Sequence, residues 1–375
     1  MSANRPTVAR VDLDAIRSNF RAISSFLASS SHKPVPKIIA VVKANAYGHG
    51  AAEVGPALEQ AGAAMLACAD IEEGIVLRRA GVRVPILVFG ALGISDLHGV
   101  FQHYLTPTIS TPSAARALQA AAAKHGAILK CHLKIDTGMN RLGFRHDNIK
   151  RTLPEVAASR NLSFDAVYTH FATADEPDSP AFAQQRERFE SACATLTSIG
   201  ITARARHAAN SAALLRDERV WYDVVRPGLL LYGVVPPPLA ATLALRPALS
   251  LHSRIVHVKG LRPGEGTGYG LKSVVDRPST IAVVPAGYAD GLDRRLAGNG
   301  YMLVRGRRAP IVGSVCMDMT MIDVTGTDVA PGDEVVIIGQ QGSDSLDVRE
   351  IAASIGTIPY ELLCRVGARI ERVYS

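Results

Sequence analysis

Short apolar runs alternate with helix-like segments through the first two-thirds of the chain. Helical patterns such as Pro112–His125 and Pro180–Ile199 lie between runs that have the length and residue types of buried strands. These predicted strands are Ile38–Val42, Ala64–Ala69, Pro85–Phe89, Pro107–Ser110, Leu129–Ile135, Ala166–Thr169, Ala205–Ala208 and Val224–Val225. Eight strands that alternate with helices predict a (β/α)8 barrel of the TIM type.

The pattern changes after Val234–Leu243, a segment with three consecutive prolines that is typical of a linker. Runs rich in β-branched residues and bounded by Gly, Pro and Asp predict a mostly β domain, with strands at Leu251–Val258, Thr280–Pro285, Tyr301–Val304, Val315–Val324 and Glu334–Ile338. One helix is predicted near Leu346–Ser354. We therefore expect an α/β protein with a barrel in residues 1–240 and a mostly β domain in residues 241–375.

The start of the chain fits either domain. A strand is predicted near residues 8–13, followed by a helix whose predicted N-cap is Asp14. The apolar positions Ile16, Phe20 and Ile23 lie on one face of that helix. The strand belongs either to the barrel or to a pairing with the second domain.

Composition narrows the class of protein. The chain has 375 residues, 47% hydrophobic and 20% charged, which is ordinary for a globular protein. Its five cysteines are scattered without CxxC spacing, which indicates a reducing cytoplasm and no metal site. The apolar stretch Leu229–Leu245 is broken by prolines, so no membrane span is expected. The net charge is +7, but the one basic run, Arg305–Arg308, favours a solvated turn over a nucleic-acid patch.

Lys43 ends the wholly apolar first strand and is followed by Tyr47 and the glycine-rich turn Gly48–Gly50. The carboxyl ends of barrel strands form the face where barrel enzymes carry out their chemistry. Burial lowers the pKa of a lysine and supplies the neutral amine that attacks a carbonyl group. The alternative is a lysine whose ammonium group reaches solvent, which fits a lone lysine better than one among other polar strand ends.

Polar residues follow four further strands, in the segments Lys134–Gly143, Tyr168–Ala172, His207–Ser211 and Arg226–Gly228. Since these strand ends meet at one face of a barrel, the sequence predicts one site there. Taken singly, each residue has a structural alternative: a packing histidine for His170, a helix cap for Asn210 and an ion pair for Arg226. Ser211 and the amides around Gly228 follow strands seven and eight, where barrels commonly bind phosphate.

In these motifs the sequence resembles the bacterial alanine racemases, which are pyridoxal-phosphate enzymes of fold type III. The most specific motif is Val41–Gly50, the cofactor-attachment signature of that family. The others occur in the family's order at comparable spacing: Lys134–Gly143, Tyr168–Ala172, Ala209–Ser211, Arg226–Gly228, Gly268–Gly270, Gly287–Gly291, Cys316–Asp318 and Ile358–Glu361. The resemblance covers nearly the whole chain.

The resemblance implies a homodimer with shared active sites that interconverts L- and D-alanine by a two-base mechanism. Lys43 would bear pyridoxal 5'-phosphate and move the α-proton on the D face, and Tyr269 from the second subunit would act on the L face. Arg141 and Met317 of the other chain would bind substrate, and Lys134 matches a position that is carbamylated in many members. The implied cofactor contacts are Lys43, Tyr47, His170, Asn210, Ser211, Arg226, Gly228 and Tyr360.

Elementary chemistry agrees with these implied roles. Racemisation breaks and remakes one Cα–H bond, so it needs an electron sink and a base on each face. An arginine against the pyridine nitrogen does not readily protonate it, because the pKa of a guanidinium is above ~12. A tyrosine base, with a reference pKa near ~10, needs cationic help such as Arg141 would give.

Two positions depart from the family's pattern, and three other functions compete. Asn140 stands where many members have glycine, and Ser314 replaces a common arginine, which leaves the substrate entrance undefined. The alternatives are a racemase of broader or different specificity, such as for serine or lysine, an ornithine-type decarboxylase and a non-catalytic cofactor-binding protein. The decarboxylases present an acid where this chain has Arg226, and the binding proteins lack the β domain. The leading interpretation is an alanine racemase that supplies D-alanine for cell-wall peptidoglycan.

Overall fold

The computed structural model describes residues 5–31, 33–92, 97–241, 243–271 and 273–375. The chain divides into two compact units. The barrel unit consists of Ile16–Ala46 and Ala51–Leu245. The β unit consists of the described residues of Met1–Ala15, together with Tyr47–Gly50 and Arg246–Ser375. Residue 242 of the predicted linker lies outside the described residues.

The barrel unit contains a closed ring of eight parallel strands, so the predicted fold class is confirmed. The eighth strand pairs with the first, and the fourth with the fifth. All eight predicted strands are present with shifted ends: Lys37–Val41, Met65–Cys68, Ile86–Val88, Leu105–Ile109, Leu129–Asp136, Leu162–Tyr168, Ala205–His207 and Val224–Val225. A two-residue strand, Phe144–Arg145, adds to the fifth strand. Runs such as Met65–Cys68 and Ile86–Val88 are continuously apolar because parallel strands are covered on both faces.

Helices connect the strands. Their bounds are Leu13–Ser29, Ala51–Ala61, Ile71–Arg79, His98–Gln102, Pro112–Lys124, Ile149–Thr152, Pro154–Ala157, Ala181–Ser198 and Ser211–Arg216, with 3₁₀ turns at Glu218–Val220 and Leu229–Tyr232. The first helix is capped by Asp12, whose carboxylate accepts the Ala15 amide at 2.7 Å. The predicted cap at Asp14 was therefore wrong, because the capping acceptor precedes the first turn and Asp14 lies inside it.

The β unit is built on a ten-stranded sheet of Val8–Val11, Leu249–Arg254, His257–Leu261, Ser279–Val284, Tyr301–Val304, Arg307–Val312, Thr320–Asp323, Glu334–Gln341, Asp344–Leu346 and Glu371–Tyr374. The N-terminal strand Val8–Val11 lies between an antiparallel partner, Leu249–Arg254, and a parallel one, Glu371–Tyr374. Gly266–Thr267 and Ser273–Val274 form a separate small hairpin. Two helices, Val348–Ser354 and Pro359–Cys364, complete the described part of the unit.

The sequence pattern was less accurate in this unit. The predicted strand Val315–Val324 is a strand only at Thr320–Asp323, and its first half is a loop. The basic run at Arg305–Arg308 forms a turn and the start of a strand that was not predicted. Arg305 binds Asp333 at 3.0 Å, which agrees with the interpretation of a solvated turn. Among the described residues, no helix combines the length and hydropathy needed to cross a membrane.

Candidate active site

A buried guanidinium group organises the carboxyl ends of barrel strands six to eight. Arg226 donates to Nδ1 of His207 at 2.8 Å and to the main-chain oxygens of Thr169 and Ala208 at 2.8 and 2.9 Å. Its second terminal nitrogen lies 3.2 Å from Nδ1 of His170. Because a guanidinium only donates, both imidazoles accept at Nδ1 and carry their proton on Nε2. Arg226 is thereby fixed in one orientation.

The hydrogen-bond chain continues inside the barrel. Nε2 of His207 donates to Nδ1 of His132 at 3.0 Å. Burial, and next the charge of Arg226, lowers the pKa of His132 to about 4 and that of His207 well below its ordinary value. The ring of Tyr168 stacks on His207 at 4.6 Å, and its hydroxyl lies 2.9 Å from that of Thr108. In this hydrogen-bonded network the positive charge therefore stays on Arg226, and His207 and His132 are neutral.

The sequence analysis assigned no role to His132, His207, Tyr168 or Thr108. A signal was available for His132, because it lies two residues before Lys134 in the same strand. Side chains alternate along a strand, so two polar residues at this spacing point to the same face. The pairings between strands carry no comparable signal in a single sequence.

Lys134 lies buried near the same aromatic ring, with Nζ 5.5 Å from the centroid of Tyr168. Burial is the main cause that lowers its pKa to about 8, followed by the positive charges of Arg141 and Arg226. Asp136 acts in the opposite direction. A large fraction of Lys134 is consequently the neutral amine near pH 8.

The structure brings several of the predicted residues together in the barrel unit. The pKa of His170 is held well below its ordinary value by burial and then by the charges of Arg226, Lys134, Arg141 and Lys43. The same cations act on Lys134. These side chains therefore share one strongly positive environment, which favours an anionic ligand.

Ser211 joins the loops after strands seven and eight. Its buried hydroxyl accepts the amides of Gly228 at 2.9 Å and Leu230 at 3.4 Å. Asn210 caps the helix Ser211–Arg216 by accepting the Ala213 amide at 2.9 Å, so the helix-cap alternative for Asn210 is confirmed. The Ser211 hydroxyl, which accepts the amides of Gly228 and Leu230, keeps its own proton to donate.

The turn after the first strand is strained. Ala44, Asn45 and Ala46 have φ of 53°, 52° and 56°, in the left-handed region that residues other than glycine rarely adopt. The side chain of Asn45 stabilises the turn by accepting the Ala51 amide at 2.8 Å. Strain of this kind is concentrated at functional sites, which agrees with a functional role for the preceding Lys43.

Tyr47 and Tyr360 lie together in the β unit. Their ring centroids are 6.0 Å apart. Tyr47 is buried, and burial followed by the neighbouring Tyr360 raises the pKa of its phenol above the ordinary range. The phenol of Tyr47 is therefore a neutral hydrogen-bonding group at physiological pH.

Tyr269 and Met317 are exposed in the β unit, at 78% and 52% of their surfaces. Tyr269 begins the turn Tyr269–Leu271, and its carbonyl accepts a hydrogen bond from the Ser314 hydroxyl at 3.1 Å. The departure at Ser314 thus places a small donor against the main chain of the predicted base.

The departure at Asn140 preserves its turn. Asn140 has a φ of 56°, which asparagine tolerates better than most residues. Its amide and that of Gly138 both donate to the Asp136 carboxylate at 3.0 Å. At Gly143, with φ 125°, a Cβ would overlap the backbone of the fifth strand at Asp136. The loop that carries Arg141 is therefore anchored at both ends.

The residues present fit a phosphorylated aldehyde cofactor. The barrel supplies an amine at Lys43, the positive charges of Arg141 and Arg226, and a hydroxyl donor at Ser211. Ser110, directly after the fourth strand, has a buried hydroxyl with no hydrogen-bond partner among the described residues. An unpartnered buried hydroxyl of this kind suits a site that a polar ligand completes. Within the described residues, no group of three or more His, Cys, Asp or Glu is arranged to hold a metal ion.

Comparison with known proteins gives consistent matches over the whole length. Residues 11–236 match the family model "Alanine racemase, N-terminal domain" and residues 248–374 match "Alanine racemase, C-terminal domain". The alanine racemase of Halothermothrix orenii is 41% identical, over 99% of this chain and 97% of that protein.

Solved structures of alanine racemases have the same fold. The Bacillus anthracis enzyme with bound L-Ala-P has a TM-score of 0.92 at 35% identity and covers 100% of this chain and 96% of its own. The Bartonella henselae enzyme with covalently bound pyridoxal phosphate has a TM-score of 0.87 at 28% identity, with 99% of each chain covered.

Proposed function

The chain belongs to the alanine racemase family of isomerases, and from this membership we infer that it interconverts L- and D-alanine with pyridoxal 5'-phosphate. Lys43 and Tyr269 serve as bases on opposite faces of the α-carbon. The observation that carries the proposal is the buried Arg226, which lies within hydrogen-bond distance of two neutral histidines, His207 and His170. A relative with covalently bound pyridoxal phosphate supports the choice of cofactor.

The cofactor, when bound, withdraws electrons from the α-carbon of the amino acid and so makes its C–H bond acidic. We assign Lys43 to bear it, and Tyr47, Ser211, Gly228 and Tyr360 to hold the phosphate. His170 would line the cofactor ring, and Asn210 would be a further cofactor contact. Hydroxyl and amide donors with nearby cations are the groups that bind phosphate in other proteins.

We assign Arg226 a role in determining the carbon to which the α-proton returns. Burial lowers its pKa to about 10, which still leaves the guanidinium charged near neutral pH. We propose that Arg226 would donate a hydrogen bond to the pyridine nitrogen of the bound cofactor and, because a guanidinium keeps its proton, would not protonate it. A cofactor held in this way would favour return of the proton to the α-carbon over other carbons. This feature favours racemisation over the decarboxylase alternative, in which an acid occupies this position.

Tyr269 and Met317 reach the active site from a second subunit in this account. Their exposure within one chain leaves both side chains available to a neighbouring molecule. Arg141 binds the substrate carboxylate and favours the ionised phenol of Tyr269. We therefore propose a homodimer in which residues 1–240, together with Tyr360, hold the cofactor, and Tyr269 and Met317 complete the neighbour's site.

Lys134 is proposed to carry a carbamate. The neutral amine is the form that reacts with carbon dioxide, and burial among cations favours that form. Lys134 has Arg141 and Arg226 as positively charged neighbours. As a carbamate, Lys134 would be an anion beside Arg141. Its effect would be to hold Arg141 in place for the substrate carboxylate.

We place the reaction in the cytoplasm, where D-alanine enters peptidoglycan synthesis. All five cysteines are free, as is usual in a reducing compartment. A bound L-Ala-P in the Bacillus anthracis relative supports an alanine-sized substrate.

A racemisation assay over a panel of amino acids tests the proposal. The purified chain with added pyridoxal phosphate is expected to convert L-alanine to D-alanine, and the reverse, with a higher kcat/KM than for serine or lysine. Chiral chromatography of both products provides the measurement. Preference for serine or lysine would favour the alternative racemase, and no turnover of any amino acid would refute the proposed function.

A further inference from the structure

A turn in the β unit supports the loop that carries Met317. The amide of Tyr288 donates to the Cys316 carbonyl at 2.9 Å, and the amide of Ala289 donates to the Met317 carbonyl at 3.1 Å. A Cβ on Gly287 would overlap the carbonyl groups of Cys316 and Met317. The loop therefore lies directly on the backbone of residues 287–289.

Asp290 lies at the end of this turn with no exposed surface. Its carboxylate accepts two hydrogen bonds from Arg5, at 2.5 and 3.0 Å, and two from Arg369, at 2.7 and 3.2 Å. The amide of Gly287 adds a fifth at 2.9 Å. Burial alone would raise the pKa of Asp290, but these donors outweigh it and hold the pKa below its ordinary value.

Arg369 connects this buried carboxylate to the loop itself. Beyond Asp290, its Nη2 lies 2.8 Å from a carboxylate oxygen of Asp318 and 3.3 Å from the carbonyl oxygen of Met317. The guanidinium of Arg369 thus binds Asp290, at the end of the turn. It also binds two consecutive residues of the loop, Met317 and Asp318. An ammonium group, which lacks this planar fork, would not reproduce all these contacts.

We propose that Arg369 and Asp290 are positioning residues that fix the Met317 loop and thereby set the affinity for the amino-acid substrate. The inference rests on the proposed function, because it takes Met317 to contact the substrate. Met317 itself is half-exposed and has an unbranched, adaptable side chain. Its placement consequently depends on the anchoring of its main chain.

The burial of Asp290 explains why its ion pair with Arg369 matters more than an ordinary ion pair at the surface. Exposed pairs contribute little, because water competes for both charges. Here one partner is completely buried, so the loss of Arg369 leaves a buried carboxylate with fewer donors. Because the guanidinium of Arg369 binds both Asp290 and the Met317 loop, we expect its loss to loosen the loop locally.

The test compares Arg369→Ala and Arg369→Lys with the wild type. Both are expected to raise KM for alanine about tenfold, the scale of a lost charge-assisted hydrogen bond, with kcat changed by less than about threefold. Added guanidinium ion should lower KM again in Arg369→Ala, because the Arg369 side chain is 40% exposed and its place is open to solvent. Hydrogen exchange of the peptide covering residues 314–319 should become faster in both variants.

Arg305→Ala is the matched control. Arg305 also binds an aspartate in the β unit, Asp333 at 3.0 Å, but neither residue has an assigned role in the chemistry. The control should leave KM and the exchange of residues 314–319 unchanged. If Arg369→Ala lowers only thermal stability, with KM and loop exchange like the control, the positioning role is refuted.

The two proposals fail in different ways. A wild-type chain that does not racemise alanine refutes the proposed function, whereas hydrogen exchange still decides whether Arg369 fixes the loop. If Arg369→Ala does not fold, Arg369→Lys keeps the charge and gives the same comparison. An Arg369→Lys variant with wild-type KM and wild-type loop exchange overturns the inference.

Discussion

At the scale of single residues, environment decides which basic groups are charged. His132, His170 and His207 are neutral because they are buried beside Arg226, whose guanidinium cannot accept a proton. Lys134 is poised between its two forms. The charge that could act on an anionic ligand is thus concentrated on arginine, and the amine of Lys134 is partly neutral.

The assignment of Tyr269 to one face predicts an asymmetric defect. Tyr269→Phe should reduce racemisation from L to D by about 10²–10⁴-fold, the usual contribution of an acid–base group. Exchange of the α-hydrogen of D-alanine with solvent deuterium should survive, because Lys43 still acts on that face. Proton NMR of each enantiomer in deuterium oxide provides the measurement.

A matched variant separates loss of the base from loss of the cofactor. Tyr269→Phe should keep the visible absorbance of lysine-bound pyridoxal phosphate, whereas Lys43→Ala should lose it. An equal loss of deuterium exchange on both enantiomers in Tyr269→Phe would remove the basis for opposed bases.

Single residues were predictable from the sequence where they end a strand. Lys43, Lys134, His170 and Arg226 each follow or end an apolar run, and the structure places them in one electrostatic environment. Their partners were not predictable in this way. His132 meets His207 across 75 positions of the chain, and no local pattern reports such a contact.

At the scale of elements, the barrel strands were predictable from the sequence because they are buried on both faces. A parallel strand covered on both sides is mostly apolar, and runs such as Met65–Cys68 and Ile86–Val88 were found for that reason. Three strands of the large sheet that were not predicted, Arg307–Val312, Asp344–Leu346 and Glu371–Tyr374, carry charged or polar side chains on an exposed face. Their assignment depends on the neighbouring strand, not on their own composition.

The turn after the fifth strand gives a prediction at this scale. Gly143→Ala should destabilise the fold by more than ~1 kcal/mol and lower kcat/KM, because its Cβ would overlap the backbone at Asp136, beside Lys134. Gly126→Ala is the matched control, since Gly126 also has a positive φ, of 61°, but nothing lies within 4 Å of its Cβ. Urea unfolding and steady-state kinetics compare the two variants. Equal effects would show that backbone strain alone, and not the overlap, matters at Gly143.

At the scale of the whole molecule, the chain consists of two units with different roles in the proposed reaction. The barrel unit holds Lys43 and the cationic cluster, and the β unit presents Tyr269, Met317 and Tyr360. The sequence predicted this division of chemistry through the family's motifs. It did not reveal that Tyr47–Gly50 groups with the β unit, because that depends on contacts with Leu363 and Tyr374 far along the chain.

Complementation between two inactive variants tests the central claim, that each site combines Lys43 of one subunit with Tyr269 of the other. Lys43→Ala and Tyr269→Phe chains with different affinity tags are co-expressed, and the heterodimer is purified and assayed with alanine. One of its two sites would contain both native residues, so about half of the wild-type activity is predicted. A heterodimer no more active than its inactive parents would contradict the account, because both residues would then belong to the same chain or to no shared site.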